Sequence, residues 1–474
     1  MRMQFGALAG LVALLGVGCA SLPRARAPSE GEGLRYEVAV PGDASVLVVE
    51  AAVPAGLPPY FGMARGAVPF VRELHVTTDG ERWSRVAATD TFFFIPECAP
   101  RGCRLRYQFA LETAARTLRD VDRARVLAPS VFEAPPSTWL LRPIGHASGP
   151  YTLHVMPTAG VRFVTGLFPL EEDTWTGDVG QLGLSPYTVL GRFGVELVRP
   201  DQHGAAIQVV VPRTLEASRA VLREWVERSA RVVANYYERF PVRHALVIVA
   251  PRPGAGVRHG RTLGNGGAAT IVWVGEDTSA EDLERDWVLP HELVHMALPS
   301  VDESHRWFEE GVATYVEKVA RVSAGEVAEE AFWGELLEGL PKGLPHQGDR
   351  GLDHTPTWGR RYWGGALFCF LADVEIRRRT EGRASLADAL RGIVKSGGSV
   401  AVSWDFRRAL AAGDAAVGVP VLRELHDRMG ERPMPVDLGA LWSRLGVSVA
   451  DGRVVLDDGA PASAFRRSLI PRDE

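Results

Sequence analysis

Along residues 34–213, apolar and polar positions alternate in short runs: RYEVAV, SVLVVEAAV, RELHVTT, TFFFI, RLRYQFAL, YTLHVM and IQVVV, separated by Pro and Gly. A period of two turns one side of a strand inward and the other to water, so this stretch predicts an antiparallel β domain. The period changes near Thr214. Val221, Leu222, Trp225, Val232, Val233, Tyr236 and Tyr237 recur at helical spacing and predict an amphipathic helix running to Phe240. Next come a buried strand, ALVIVA, a glycine-rich loop over 254–267 and a strand, ATIVWV. Ser279 with Asp282 has the pattern of a capping box opening a helix. Proline is accepted in a first helical turn and breaks an interior, so that helix is expected to end and a new one to start at Pro290. Beyond Glu317 the pattern is mainly helical, interrupted by a loop from about Leu340 to Trp358. Leu367, Phe370, Leu371 and Val374 mark one face of a helix over 362–379. The tail, GRVVLDDGAPASAFRRSLIP, predicts a strand, a turn and a short helix.

The start of the chain follows different rules. Arg2 precedes an apolar run from Phe5 to Val17, which ends at Gly18-Cys19-Ala20-Ser21. The run is short for a bilayer span and has the form of a secretion signal. Cys19 after small residues resembles a bacterial lipobox, although Leu15 stands one place early; the alternative is ordinary signal-peptidase cleavage nearby. The expectation is a signal peptide over 1–19, a polar tether over 20–33 and an exported chain, lipid-anchored through Cys19 in the envelope. In an oxidising compartment, Cys98 and Cys103 in ECAPRGC suggest a small disulfide loop. Cys369, among Leu367, Phe368, Phe370 and Leu371, reads as a buried core thiol.

Composition narrows the classes. Of 474 residues, 46% are hydrophobic and 23% charged, as in folded globular proteins. The net charge of −5, with no long basic run, gives no electrostatic case for a nucleic-acid partner.

The chemistry is concentrated in 291–317. Residues 291–295 read HELVH. Positions i and i+4 share one helix face, so His291 and His295 can hold one zinc ion, while Glu292 can take a proton from water beside it. Chance produces such a motif in roughly a few per cent of sequences, so a third ligand matters. Glu310 supplies it, fourteen residues beyond His295 in WFEEGVATYVE (307–317), where Phe308, Val312, Val316 and Val319 form a buried stripe. Two histidines and a glutamate leave a coordination position open, as a catalytic zinc requires. Glu309 stands about 100° away on an ideal helix and remains the alternative ligand.

HELVH followed by WFEEGVATYVE resembles the gluzincin zinc metallopeptidases, and RRYWGGALFCFLADVEIRRRTEGRASLADALRGIV (360–394) resembles the glycyl aminopeptidase family among them. The resemblance implies an α+β fold: an N-terminal antiparallel β domain (34–213), a thermolysin-like mixed α/β catalytic domain (214–400) and a C-terminal helical closure (401–474) without the family's PDZ domain. It implies one zinc ion on His291, His295 and Glu310, with Glu292 as general base. It also implies hydrolysis of a peptide or protein substrate by a metal-activated water. Tyr362, in Tyr-Trp-Gly-Gly, matches the family's oxyanion-stabilising tyrosine, although Gly364 stands where a lysine is usual; His354 is the alternative donor. Thr314 is a candidate hydrogen-bond partner for a zinc histidine or a plain packing residue. Related aminopeptidases hold the substrate amine with a glutamate in a glycine-containing strand motif. The matching region here, Gly264 to Ile271, has the glycines and no carboxylate, which favours endopeptidase over aminopeptidase action. A catalytically silent binding lipoprotein and a hydrolase of a non-peptide amide are the rival readings. His146, His203, His244 and His426 lack partner spacing and read as structural or surface residues.

Overall fold

The computed structural model describes residues 33–145, 148–211, 215 and 217–470. The signal run, Cys19 and nearly all of the tether lie outside them. The molecule is mixed α/β, with several sheets and many helices.

The front half carries an eight-stranded sheet. Its order is Pro169–Glu171, Thr174–Asp178, Pro150–Pro157, Leu34–Val40, Leu47–Val53, Cys103–Phe109, Val71–Thr77 and Ser84–Arg85. The inward positions of Leu34–Val40 alternate as the pattern predicts, with Leu34, Tyr36, Val38 and Val40 buried. One pairing departs from the antiparallel expectation: Leu34–Val40 lies parallel to Pro150–Pro157. Parallel neighbours need a long crossover, and here the chain returns only after building most of the half-domain between them. Cys98 and Cys103 form a disulfide at the entry to Cys103–Phe109.

A five-stranded sheet follows, in the order Gly194–Val198, Ala206–Val211, His244–Arg252, Ala269–Gly275 and Val257–Leu263. Its first two strands precede residue 213, the boundary expected from the change in period. The three inner strands run parallel, and Val257–Leu263 closes one edge antiparallel to Ala269–Gly275. The expected glycine-rich loop is therefore largely an edge strand. The front half packs Tyr187, Val189 and Val131 against one face of this sheet, where Ile248, Ile271 and Trp273 lie. Helices cover the other face. Arg219–Tyr237 buries Leu222, Trp225, Val226 and Val233 there, as its helical stripe predicts.

The capping box of Ser279 and Asp282 forms and opens the short helix Ala280–Glu284. The next helix starts at Val288, two residues before Pro290. Asp286 sets this start: its carboxylate accepts the backbone N–H groups of Val288 and Leu289 and the indole of Trp225. Pro290 thus sits inside the first turn, where a missing N–H costs little. Helix Arg306–Ser323 packs beside it and Gly365–Arg379 packs against Arg306–Ser323, and shorter helices from Leu386 to Leu445 close the end of the molecule. A hairpin, Val447–Ala450 with Arg453–Leu456, and a last helix, Ser463–Ser468, complete the tail.

Candidate metal centre

The helix Val288–His295 is buried along nearly its whole length, so its two histidines face protein rather than water. Helix Arg306–Ser323 crosses beside it and brings in Glu310. One carboxylate oxygen, Glu310 Oε2, lies 3.6 Å from His291 Nε2 and 3.5 Å from His295 Nε2. All three candidate ligand atoms lie within 4.8 Å of one another. Ligands of a tetrahedral zinc, at bonds of about 2.0–2.1 Å, stand roughly 3.3 Å apart, so the observed spacing fits the ion with little adjustment. The donor set, two imidazoles and one carboxylate, fits as well. Glu310 Oε1 is turned to the Arg306 guanidinium at 3.8 Å, which leaves Oε2 as the single converging oxygen. Glu309 points elsewhere, with its carboxylate accepting the backbone N–H of Val301.

The charges are interdependent. Burial pushes the Glu310 carboxyl up, but the two imidazoles beside it outweigh burial and hold it well below the usual range. Burial disfavours charge on His295, yet Glu310, with Glu292 and Glu309 behind it, lifts that imidazole to about 9. Glu309, engaged with Val301 rather than with a cation, is raised by burial.

Glu292 is held from the edge strand Val257–Leu263. Thr262 Oγ1 lies 2.8 Å from Glu292 Oε2, 2.8 Å from its backbone carbonyl and 2.8 Å from Thr270 Oγ1. Two positions earlier on the same strand face, a Cβ on Gly260 would collide with the Glu292 side chain. Glycine there lets the strand lie against the carboxylate. The period-two sequence VRHGRTL was the signal for this strand, and Gly260 disguised it as loop. The glycines of the following turn serve packing. A Cβ on Gly264 would strike the Val400 carbonyl, and one on Gly267 the Gly166 carbonyl. The strand flanking Glu292 is therefore Val257–Leu263 rather than the expected Gly264–Ile271, and it too contains no carboxylate.

Tyr362 lies on one turn of π-helix, Arg360–Gly364, ahead of the helix Gly365–Arg379. Gly311 and Gly365 allow this approach: a Cβ on either would strike the other's helix backbone. The phenol ring lies over the His291 ring, with centroids 6.4 Å apart and planes 23° from parallel. Burial, then the negative charge of Glu310 and Glu292, pushes its hydroxyl up to about 12, so it stays protonated and able to donate. His354, the alternative donor, pairs instead with Glu431 at 3.0 Å. Thr314 is buried and its hydroxyl has no hydrogen-bond partner among the described residues, as is also true of His291 Nδ1, so the Thr314–histidine bond considered from sequence is not made.

No protein-family model matches the chain, and no curated protein matches it. Solved structures do. An aminopeptidase N family protein from Idiomarina loihiensis superposes with a TM-score of 0.65 at 13% identity, covering 88% of this chain and 79% of that one. A mutant M1 zinc metallopeptidase from Deinococcus radiodurans, bound to a Tyr-Ser-Ala substrate, gives a TM-score of 0.53 at 17% identity, covering 85% of this chain and 94% of that one. The fold is that of the M1 zinc metallopeptidases.

Proposed function

We propose that the protein is a zinc-dependent peptidase. The observation that carries this reading is the convergence of His291, His295 and Glu310 on one point beside Glu292, in a molecule with the M1 metallopeptidase fold. Zinc bound by these three residues would supply Lewis acidity, acidifying water and polarising a carbonyl. The remaining roles belong to the chain. Glu292 accepts the proton of the attacking water at the carboxylate that Thr262 orients, then delivers it to the leaving amine. The Tyr362 hydroxyl donates to the oxygen that gains charge in the transition state. The edge strand offers backbone N–H and C=O groups to an extended substrate, which needs no particular side chain. Arg258, His259, Gly260, Arg261 and Thr262 provide no carboxylate for a free α-amine, and Glu309 is occupied by Val301. A desolvated ammonium would lack a partner from this strand, so endopeptidase action is favoured. The expected result is equal cleavage of one peptide with free and acetylated N-termini, together with bound zinc by elemental analysis. A chain that held zinc and cleaved no member of a peptide library would sink the peptidase reading. The proposal extends to export and lipidation at Cys19, supported by the apolar run behind Arg2. Wild type should partition into detergent and Cys19→Ser should not.

A further inference from the structure

A second group of ligating side chains begins five residues before Glu310, and nothing in the proposed hydrolysis uses it. His305 precedes the helix Arg306–Ser323, Asp353 sits in the 3₁₀ turn Leu352–His354, and His426 lies on the helix Val421–Met429. Asp353 Oδ2 is 2.8 Å from His426 Nε2 and 3.6 Å from His305 Nε2, and the three atoms lie within 4.8 Å of one another. His426 is 2% exposed, and Trp307 and Phe406 wall the group with their rings.

Three observations describe how the group is held. The outer atoms of two ligands are already fixed: Asp302 takes His305 Nδ1 at 2.9 Å, and Trp307 Nε1 donates to Asp353 Oδ1 at 2.8 Å. Such outer partners orient ligands toward an ion. Secondly, a carboxylate only accepts, so His305 Nδ1 carries a hydrogen, and in the neutral ring Nε2 presents a lone pair. With no hydrogen on Nε2 that atom would face Asp353 Oδ2, another acceptor, so either a second ring hydrogen or a bound cation lies between them. Thirdly, glycine at 430 lets its backbone lie directly against the pair. A Cβ there would lie 2.6 Å from His426 Nε2 and 2.8 Å from Asp353 Oδ2, although the backbone at Gly430 has an ordinary right-handed conformation that does not demand glycine.

We infer that His305, Asp353 and His426 form a second site for zinc, separate from the first. Two imidazoles and a carboxylate suit a borderline divalent ion. Zinc at His426 Nε2 leaves that ring's hydrogen on Nδ1, by tautomer exchange if the ring is neutral or by loss of one proton to solvent if it is charged, and opens the 2.8 Å contact by about 0.5 Å toward tetrahedral spacing. The side chain of His305 is 21% exposed, so the group lies near the surface. No ligand is shared with the first site, and five residues of helix separate His305 from Glu310, roughly 7 Å along the axis. The two ions are therefore not a bridged catalytic pair. The second ion ties the loop bearing Asp353 and the helix bearing His426 to the start of the helix that carries Glu310.

The test is zinc per chain after dialysis against buffered free zinc. Wild type should hold two equivalents, His305→Ala one, the His291→Ala/His295→Ala variant one, and all three substitutions together none. Zinc should also raise the melting temperature of the His291→Ala/His295→Ala variant, and adding His305→Ala should remove that rise. His305 is partly exposed, so its loss leaves the core intact, and His426→Asn checks the buried ligand independently. Wild type saturating at one equivalent, with His305→Ala still holding one, would overturn the inference. A second equivalent insensitive to both His305→Ala and His426→Asn would overturn it equally.

Discussion

Two groups of two imidazoles and one carboxylate lie at the start and in the second turn of one stretch of chain, His305 to Glu310, yet their surroundings differ. Around His291, His295 and Glu310 stand a carboxylate held by Thr262, a half-buried phenol and an exposed strand edge. Around His305, Asp353 and His426 stand Trp307 and Phe406, with hydrogen bonds that hold the ligands themselves. The first has groups able to move a proton and meet a substrate. The second has walls. A donor set specifies an ion; the neighbours decide whether that ion can do chemistry.

The sharpest way to break this comparison is to strip the first group of its neighbours while keeping its ligands. Glu292→Gln should lower kcat by roughly 10²–10⁴-fold with zinc content unchanged, measured by steady-state hydrolysis beside elemental analysis. Near-normal turnover would mean that the base lies elsewhere. Tyr362→Phe should cost about 10²-fold, in kcat rather than KM, because the donor acts on charge that develops only in the transition state. A change confined to KM would make Tyr362 a substrate-binding residue.

The electrostatics sharpen the contrast from the ligand side. In the metal-free protein His295 holds its proton until about 9, and that proton must leave before an ion binds. Glu310 is already ionised and adds nothing to the slope. Zinc affinity at this site should therefore rise about tenfold per pH unit between about pH 7 and about pH 9, read by chelator competition in the His305→Ala background. A flat profile would show that His295 carries no proton to displace. The smallest effect is expected at the neighbouring glutamates. Glu309→Ala should keep zinc and cost about 1–3 kcal/mol of stability, since Val301 loses its buried acceptor, whereas Glu310→Ala should release the ion. The reverse metal contents would move the ligand by one residue.

How much of this could be read in the sequence depends on how each group is assembled. His291 and His295 are spaced by a single helix, so the helical period announces them. Glu310 follows in an adjacent helix, beside the Gly311 that lets Gly365 pack against it. His305, Asp353 and His426 come from three separate elements, and no periodicity links them. His426 has no partner within reach along the chain and reads from sequence as a structural or surface residue. The same limit appears in the fold. Alternation marked the strand Leu34–Val40 but carried nothing about its parallel partner Pro150–Pro157, which folds back from far along the chain. Val257–Leu263 was hidden because Gly260 serves contact with Glu292 rather than a turn. The helix start moved from Pro290 to Val288 because Asp286 bonds to two backbone N–H groups, and a side chain's partners are not visible in its neighbours' names.

The π-turn at Arg360–Gly364 has a consequence for how the site could be lost. In it, the Gly365 N–H reaches back five residues to the Arg360 carbonyl. Such a turn holds one residue more than the α-turn it replaces. Removing Gly364 would let the segment relax into continuous α-helix, which is the cheaper conformation, and would turn Tyr362 to a different direction relative to Gly365–Arg379. Every ligand and the base would stay in place, and the tyrosine would remain in the chain while leaving the cleft. The proposed oxyanion donor is thus a matter of counting as much as of chemistry. An insertion or deletion of one residue, with no change of residue type, would switch it on or off.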